Sequence, residues 1–242
     1  MKKRIADKSI YNDATYFNKP KEYFKFIDQS IKQIKSENSE KRIDKIIDVG
    51  CANGALLHYL SKENLNTTFI GYEPELSLIE LGKILAPNIE FNNYGLYDIS
   101  NLKSEQKADV VIAAGVIGIF DDPEKFLMHM DKLCKNDGSI LLFSPFNEND
   151  IDVILQYKPS KGNEWQTGHN LFSLTTIKLI AEKMGYKYSF SSFSMPFPIK
   201  KTNDPMRSWT ENFRGEDNFL IYGTNMFSTM KLIRLDKILK ND

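Results

Sequence analysis

The sequence predicts an α/β fold: a mostly parallel sheet with helices on both faces. Three observations carry this. From Lys45 onward, short apolar runs alternate with segments of helical periodicity. The run Ala108–Ala114 is strongly apolar, as a strand covered on both faces must be. The last two apolar stretches have no helical segment between them, which predicts a closing antiparallel pair.

The elements follow in order. Residues 1–40 are aromatic-rich and polar, with Tyr11, Tyr16, Phe17, Tyr23, Phe24 and Phe26. Phe24, Ile27, Ile31 and Ile34 recur at helical spacing, so a mobile arm and then an amphipathic helix ending near Ser36 are expected. Lys45–Val49 is a short strand, and Ala55–Leu60 a helix with Leu56, Leu57 and Leu60 on one side. Thr67–Tyr72 is a second strand, rich in β-branched and aromatic residues. Glu75–Ala86 is a helix stopped by Pro87, and Ile89–Asn92 a brief third strand. After the apolar fourth strand, Asp122 and Pro123 start a helix, an N-cap carboxylate followed by proline at the first position. Phe126, Leu127, Met130, Leu133 and Cys134 form its buried stripe. Asn136-Asp137-Gly138 turns the chain into a strand at Ser139–Ser144. Ser173 caps a helix with Leu174, Ile177, Ile180, Ala181 and Met184 inward, and Gly185 closes it. Tyr186–Phe193 and Asn225–Leu235 are the late strands, linked by the proline- and charge-rich stretch Pro196–Asn218.

Bulk composition narrows the function. A chain of 242 residues suits one domain with an elaborated end. Lys+Arg and Asp+Glu both number 32, so no net field draws the chain to nucleic acid or to an anionic membrane. The two cysteines, Cys51 and Cys134, have neither metal-ligand nor CxxC spacing, which argues against a metal site and for a reducing, cytoplasmic setting. Met1-Lys2-Lys3-Arg4 leads into Asp7, Lys8 and Asp13 rather than an apolar run, so no signal peptide is expected. Val110–Phe120 is too short and too broken by glycine to span a bilayer.

The chemistry concentrates where the first strand ends, at Asp48-Val49-Gly50-Cys51-Ala52-Asn53-Gly54. Small residues at 50, 52 and 54 let the backbone turn tightly and approach a ligand, and the following helix start offers unpaired N–H groups. By itself such a turn indicates only a nucleotide-like cofactor. Glu73 stands at the end of the second strand, about twenty residues on, where a carboxylate can accept bonds from both ribose hydroxyls. Asp98, after Tyr97, follows the third strand, where a carboxylate can accept a bond from an adenine amino group while an apolar neighbour covers the ring.

Together these residues resemble the class I S-adenosylmethionine-dependent methyltransferases, over a stretch from about Ile43 to Met195. The resemblance implies S-adenosylmethionine as cofactor. It also implies a Rossmann-like three-layer αβα sandwich, whose seven-stranded, mostly parallel sheet has its last strand antiparallel. Asp48, Gly50, Cys51, Ala52 and Gly54 match the family's first motif, in which Ala52 replaces a frequent glycine. Glu73, beside Pro74, matches its ribose-binding acid, and Asp98, with Tyr97, its adenine-binding acid. Ala108–Ile117, including Ala114 and Gly115, is similar to its fourth-strand motif. His169-Asn170-Leu171-Phe172-Ser173 is similar to its common His…Phe-Ser/Thr entry to the penultimate strand. The pattern also resembles bacterial methyltransferases that modify surface-polysaccharide precursors.

Each residue has a plainer reading beside this one. Asp48 is a strand-end cap or a cofactor contact near the methionine moiety. Glu73 alone is a solvated helix-start acid before Pro74. Cys51 is a packing thiol rather than a nucleophile. His169 is structural, or a general base or substrate contact on the face where an acceptor enters. Tyr11, Tyr16 and Phe17 staple the first helix or form a lid, which makes residues 1–40 a lid and 41–242 the catalytic domain. Asn147, in the segment after Pro145, and the insertion at 196–220, with Lys200, Lys201, Arg207, Trp209 and Arg214, are candidates to line an acceptor pocket suited to phosphate or carboxylate. Lys231, Arg234, Lys237 and Lys240 read as a solvated terminal face. The expectation is a cytoplasmic monomer or homodimer, with a small-molecule substrate and no nucleic acid or membrane partner. It would transfer methyl to an O or N atom of a polar metabolite, phosphorylated or sugar-linked. The rivals are a binding module without turnover and a nicotinamide oxidoreductase. The latter wants G-x-G-x-x-G, and here Leu56 and Leu57 fall where the third glycine would be.

Overall fold

A computed structural model describes residues 13–37, 42–95, 107–201, 208–212, 218–221 and 227–238. Five helices are described: α1 (Glu22–Glu37), α2 (Ala55–Glu63), α3 (Leu76–Leu85), α4 (Pro123–Leu133) and α5 (Leu174–Lys183). The strands of the main sheet are β1 (Lys45–Val49), β2 (Thr68–Tyr72), β3 (Glu90–Asn92), β4 (Ala108–Ala114), β5 (Cys134–Pro145), β8 (Tyr186–Phe193) and β12 (Met230–Lys237). Between them lie a two-stranded hairpin, β6 (Gln156–Tyr157) with β7 (Gln166–Thr167), and a three-stranded sheet of β9 (Trp209–Asn212), β10 (Asn218–Ile221) and β11 (Phe227–Ser228).

The seven strands run in the order β3-β2-β1-β4-β5-β12-β8. Described pairs are parallel except those of β12, which is antiparallel to both β5 and β8. The expected fold class is the one observed. From β1 the chain walks outward to β3, then returns to place β4 on the other side of β1. That reversal opens a crevice at the carboxyl ends of β1 and β4.

Strand side chains alternate between two cores, as the two-residue period of a strand requires. Ile47, Val111, Ile140, Leu142 and Ile233 pack with Phe126, Met130 and Ile177 of α4 and α5. Ile46, Val110, Ile112, Leu141 and Leu232 pack on the opposite face with Ile27, Ile31, Leu57 and Ile79 of α1, α2 and α3. Helix starts follow the sequence: Asp122 accepts from the Lys125 N–H and Ser173 from the Thr176 N–H.

Four local expectations change. The chain from Ala14 to Phe17 is a single 3₁₀ turn capped by Asp13, and Phe17 is buried, its ring 5.0 Å from that of His58 on α2. The described part of the arm is therefore packed, because Phe17 and the α1 stripe complete the core over β1. Strand β5 begins at Cys134, and the Asn136–Gly138 turn is an outward bulge within it, between the pairs Ala108–Cys134 and Val110–Ser139. The link Pro196–Asn218 contains β9, which pairs antiparallel with β10 and puts a second small sheet where a loop was expected. The last main-sheet strand starts at Met230, with Phe227–Ser228 given to that small sheet.

Candidate active site

The crevice is built by the turn after β1. The Gly50 and Cys51 N–H groups both donate to the Tyr72 carbonyl, at 2.8 and 3.2 Å, which folds the turn against the end of β2. Gly50 has φ +75°, and a Cβ there would lie 2.6 Å from the Val116 side chain. Gly54 has φ +78° at the N-cap of α2, and its Cβ would lie 2.5 Å from the Phe91 ring. Both positions therefore require glycine for conformation and for space. Ala52 adopts φ +50° with a Cβ, a conformation costing roughly 1 kcal/mol. Its N–H donates to Glu73 Oε2 at 3.0 Å, which holds it there.

Glu73 directly follows β2 and is buried. Its other oxygen accepts the Glu75 N–H at 3.0 Å. Burial pushes its carboxyl above the ordinary range, and these two N–H bonds oppose the rise. Each oxygen accepts one described bond, which leaves lone pairs for hydroxyl donors. Asn93, just past β3, donates to the carbonyls of Glu73 and Pro74 at 3.1 and 2.9 Å and so fixes the acid's backbone. The sequence reading missed Asn93.

Asp48, next to the last residue of β1, is 3% exposed. Its Oδ1 is buried and has no hydrogen-bond partner in the described structure. Burial, and then the nearby charge of Glu73, push the Asp48 carboxyl far above its usual range. Cys51 packs its sulfur against Gly71, where a Cβ would lie 2.5 Å away, and burial raises its thiol well above normal. Its sulfur is thus packed, and Cys51 also lines the cleft over the turn. The cleft over this turn is lined by Asp48, Gly50, Ala52 and Ala114, and on the other side by Tyr16 and Lys21. The Lys21 ammonium stands 4.2 Å from the Tyr16 ring. A larger groove, about 350 Å³, lies between α1 and the β8–β12 edge, remote from the switch point. Chemistry, rather than volume, marks the smaller cleft.

The other wall is the end of β4. Gly115 has φ +73° with open space where a Cβ would stand, and its N–H donates to Phe143 at 2.7 Å. A 3₁₀ turn, Ile117–Ile119, follows. His169 lies beside it, with Nδ1 3.3 Å from the Cβ position of Gly118. Its neighbour Asn170 is buried and accepts the Leu155 N–H at 2.8 Å. Asn170 also donates to the Phe120 carbonyl and to Asp121, at 2.8 and 2.9 Å. It thus ties the β4 exit to the segment carrying His169, a second role the sequence reading missed.

Other expected site residues scatter. Tyr11, Tyr97, Asp98, Arg207 and Arg214 lie outside the described residues. The Asn147 side chain is spent on its own loop, donating to Ile151 and accepting from Asn149. Trp209 is buried on β9, with its indole N–H on Glu211 and the Lys201 ammonium 4.3 Å from its ring. The solvated terminal face is overturned for three of its members. Lys231 is buried, Arg234 pairs with Glu37 and Asp236, and Lys237 pairs with Asp131. Acids on α1, α4 and β12 and in the segment after β5 draw them in, which no local charge pattern reveals. Among the described residues there is no cluster able to hold a metal ion, and no helix long and apolar enough to cross a membrane.

A family model described as a methyltransferase domain matches residues 19–189. The ubiquinone biosynthesis O-methyltransferase of Pelagibacter ubique is 24% identical over 148 residues, 56% of this chain and 60% of that protein. The tRNA U34 carboxymethyltransferase of Sulfurimonas denitrificans is 23% identical over 184 residues, 72% of this chain and 58% of that one. The chain thus spans about half to three-fifths of the length of the curated relatives it matches. Among solved structures, the plantazolicin methyltransferase BpumL, in complex with a triazolic desmethylPZN analog and SAH, superposes with TM-score 0.60 at 14% identity, over 97% of this chain and 92% of that one. The magnesium protoporphyrin IX methyltransferase of Synechocystis, with bound SAM, superposes with TM-score 0.50 at 12% identity, over 89% and 80%. The family match covers well over half of the residues, and the sheet order and the turn after β1 agree with it: the chain belongs to the methyltransferase-domain family.

Proposed function

We propose that this chain transfers the methyl group of S-adenosylmethionine to an oxygen or nitrogen atom of a small polar acceptor. The observation that carries the cofactor is the orphaned Oδ1 of Asp48, buried in a cleft floored by a tight glycine turn. A buried carboxylate oxygen without a partner calls for a cationic ligand. The methionine end of S-adenosylmethionine carries both an ammonium and a sulfonium. Glu73 offers its remaining lone pairs to the ribose hydroxyls, and Tyr97 and Asp98 are assigned to the adenine. Gly50, Ala52, Gly54, Ala114 and Gly115 supply close backbone approach, and Tyr16 with Lys21 covers the donor side as a lid.

When bound, the sulfonium supplies a methyl group already activated for in-line displacement. What remains for the protein is to hold donor and acceptor at attack distance and to keep water out. His169, beside the β4 exit, takes the proton of a hydroxyl acceptor; an amine that arrives neutral needs no such base. Asn147 holds the loop assigned to the acceptor side, and Arg207, Trp209 and Arg214 are assigned to the acceptor from the sequence. Net neutrality supports a small acceptor over nucleic acid. Phosphorylated and sugar-linked metabolites, including precursors of surface polysaccharide, are the acceptors the polar and cationic segments suit.

Calorimetry with S-adenosylmethionine and with NAD tests the donor. Micromolar binding of the first and none of the second is expected. Tight NAD binding without any for the methyl donor would overturn the reading. Transfer of labelled methyl to phosphorylated sugars, free sugars and tRNA then tests the acceptor class, with transfer to tRNA the result that removes the small-molecule reading.

A further inference from the structure

Strand β12 is antiparallel, so its first residues lie at the end of the sheet where the parallel strands point. Lys231 sits there, opposite Ser144 on β5 and Ser192 on β8. Its neighbours Leu232, Ile233 and Leu235 are buried apolar residues, yet Lys231 carries its ammonium with a side chain only 6% exposed. That ammonium donates to Ser192 Oγ at 2.8 Å and pairs with Glu148, in the segment after β5. Ser144 Oγ is fully buried and has no partner in the described structure.

Register places this cluster at the level of the site. Ala114 is opposite Phe143, Ser144 is the next residue, and Lys231 is opposite Ser144. Lys231 therefore stands level with Gly115 and two strands away, about 10 Å at the usual spacing between strands. That suits the far end of an acceptor whose reacting atom lies over β4.

The ion pair is lopsided. The Lys231 side chain is enclosed and cannot be left without an anion, which would strand a buried charge. The Glu148 side chain is 58% exposed and can turn into water at small cost. Of the two, only Glu148 is replaceable. Any oxyanion taking its place would meet the Lys231 ammonium and, across the strand pair, a buried hydroxyl that has no other partner.

We propose that Lys231, Ser144 and Ser192 form a subsite for an oxyanion, a carboxylate or phosphate, on the methyl acceptor, with Glu148 holding the place until the acceptor displaces it. Calling the oxyanion part of an acceptor rests on the methyl-transfer reading; the subsite itself does not.

The test titrates inorganic phosphate and acetate into the full chain, with and without saturating S-adenosylhomocysteine, following amide shifts by NMR. Glu148→Gln removes the competing carboxylate and should tighten anion binding about tenfold, the factor an ordinary charge-assisted contact is worth. Lys231→Met should abolish the response. It should still fold, because an apolar side chain replaces a buried charge, and its melting curve checks this. Tighter phosphate than acetate assigns a phosphorylated acceptor, and the converse a carboxylated one. Equal anion affinity in the parent and Glu148→Gln overturns the proposal, whatever Lys231→Met does. So does an unchanged response in Lys231→Met, or weaker S-adenosylhomocysteine binding in that variant alone, which would assign Lys231 to the donor. Failure of the parent and both variants alike to bind S-adenosylhomocysteine would instead overturn the donor reading and leave the anion subsite standing.

Discussion

Replacing Asp48 by Asn should make the ligand-free protein more stable and the cofactor-bound protein less so. The carboxylate is buried, one oxygen has no partner, and the Glu73 charge repels it. Its proton is therefore held more tightly in the folded chain than in the unfolded one, where the ordinary value is 3.8. Stability from this group is fully present below that value and drains away as pH rises through the raised folded value. The amide lacks the charge and escapes this loss. Relieving one buried, unsatisfied charged group is worth about 2 kcal/mol, or roughly 6 °C in Tm for a chain of this length. The gain should appear in a thermal melt at pH 7 and vanish near pH 4. Ligand binding runs the other way. A hydrogen bond to a charged partner contributes about 1.5–3 kcal/mol, so the amide should weaken S-adenosylmethionine binding by roughly 10- to 150-fold. In the parent, the ligand-induced thermal shift should shrink on acidification, as Asp48 takes up its proton and loses its attraction for the ligand's cation. An Asp48→Asn variant that is less stable than the parent without ligand, and binds the donor equally well, would refute the reasoning. Asp48 would then be a loop cap whose partner matters more than its charge.

Three further substitutions probe the frame of the site. Gly54→Ala must place a methyl 2.5 Å from the Phe91 ring at φ +78°, and should cost about 2–4 kcal/mol in urea unfolding; a loss under about 1 kcal/mol would mean that α2 can shift freely. Ala52→Gly relieves the φ +50° backbone and should raise stability by up to about 1 kcal/mol, offset in part by the looser unfolded chain; clear destabilisation would show that the Ala52 methyl packs. His169→Gln should lower kcat about 100-fold or more on a hydroxyl acceptor while leaving donor affinity unchanged, and an unaltered kcat removes His169 from the reaction.

What could be read from the sequence was what is local. Gly50, Ala52 and Gly54 were legible because a strand-to-helix turn in the left-handed region tolerates only small residues, and Glu73 because the length of one strand–helix–strand unit fixes where the next acid falls. The helix starts at Asp122 and Ser173 were legible because an N-cap satisfies N–H groups three residues on. Asn93 and Asn170 were not. Their value lies in carbonyls and N–H groups up to 50 residues away, brought near only by the sheet order. Lys231 was misread for the same reason: among the cations of the C-terminal stretch it has the signature of a wet surface, and only pairing with β5 and β8 buries it. The small sheet was hidden because prolines and charges mark a loop, while its strands are made by pairing with each other.

The pairing of Met230 with Phe193 has a consequence for how this fold can change. The two residues are neighbours in the sheet, yet residues 194–229 run between them. The chain leaves the main sheet at one and rejoins it beside the same spot at the other. The length of the stretch matters little to the framework, since closing a loop twice as long costs only about 0.6 kcal/mol more. A stretch of this kind can be cut to a tight turn, or exchanged for one from a relative, while the donor-binding end of the sheet stays as it is. Under the proposed function, the part of the acceptor side carried on residues 194–229 can thus vary while the pairing of β8 with β12 stays fixed.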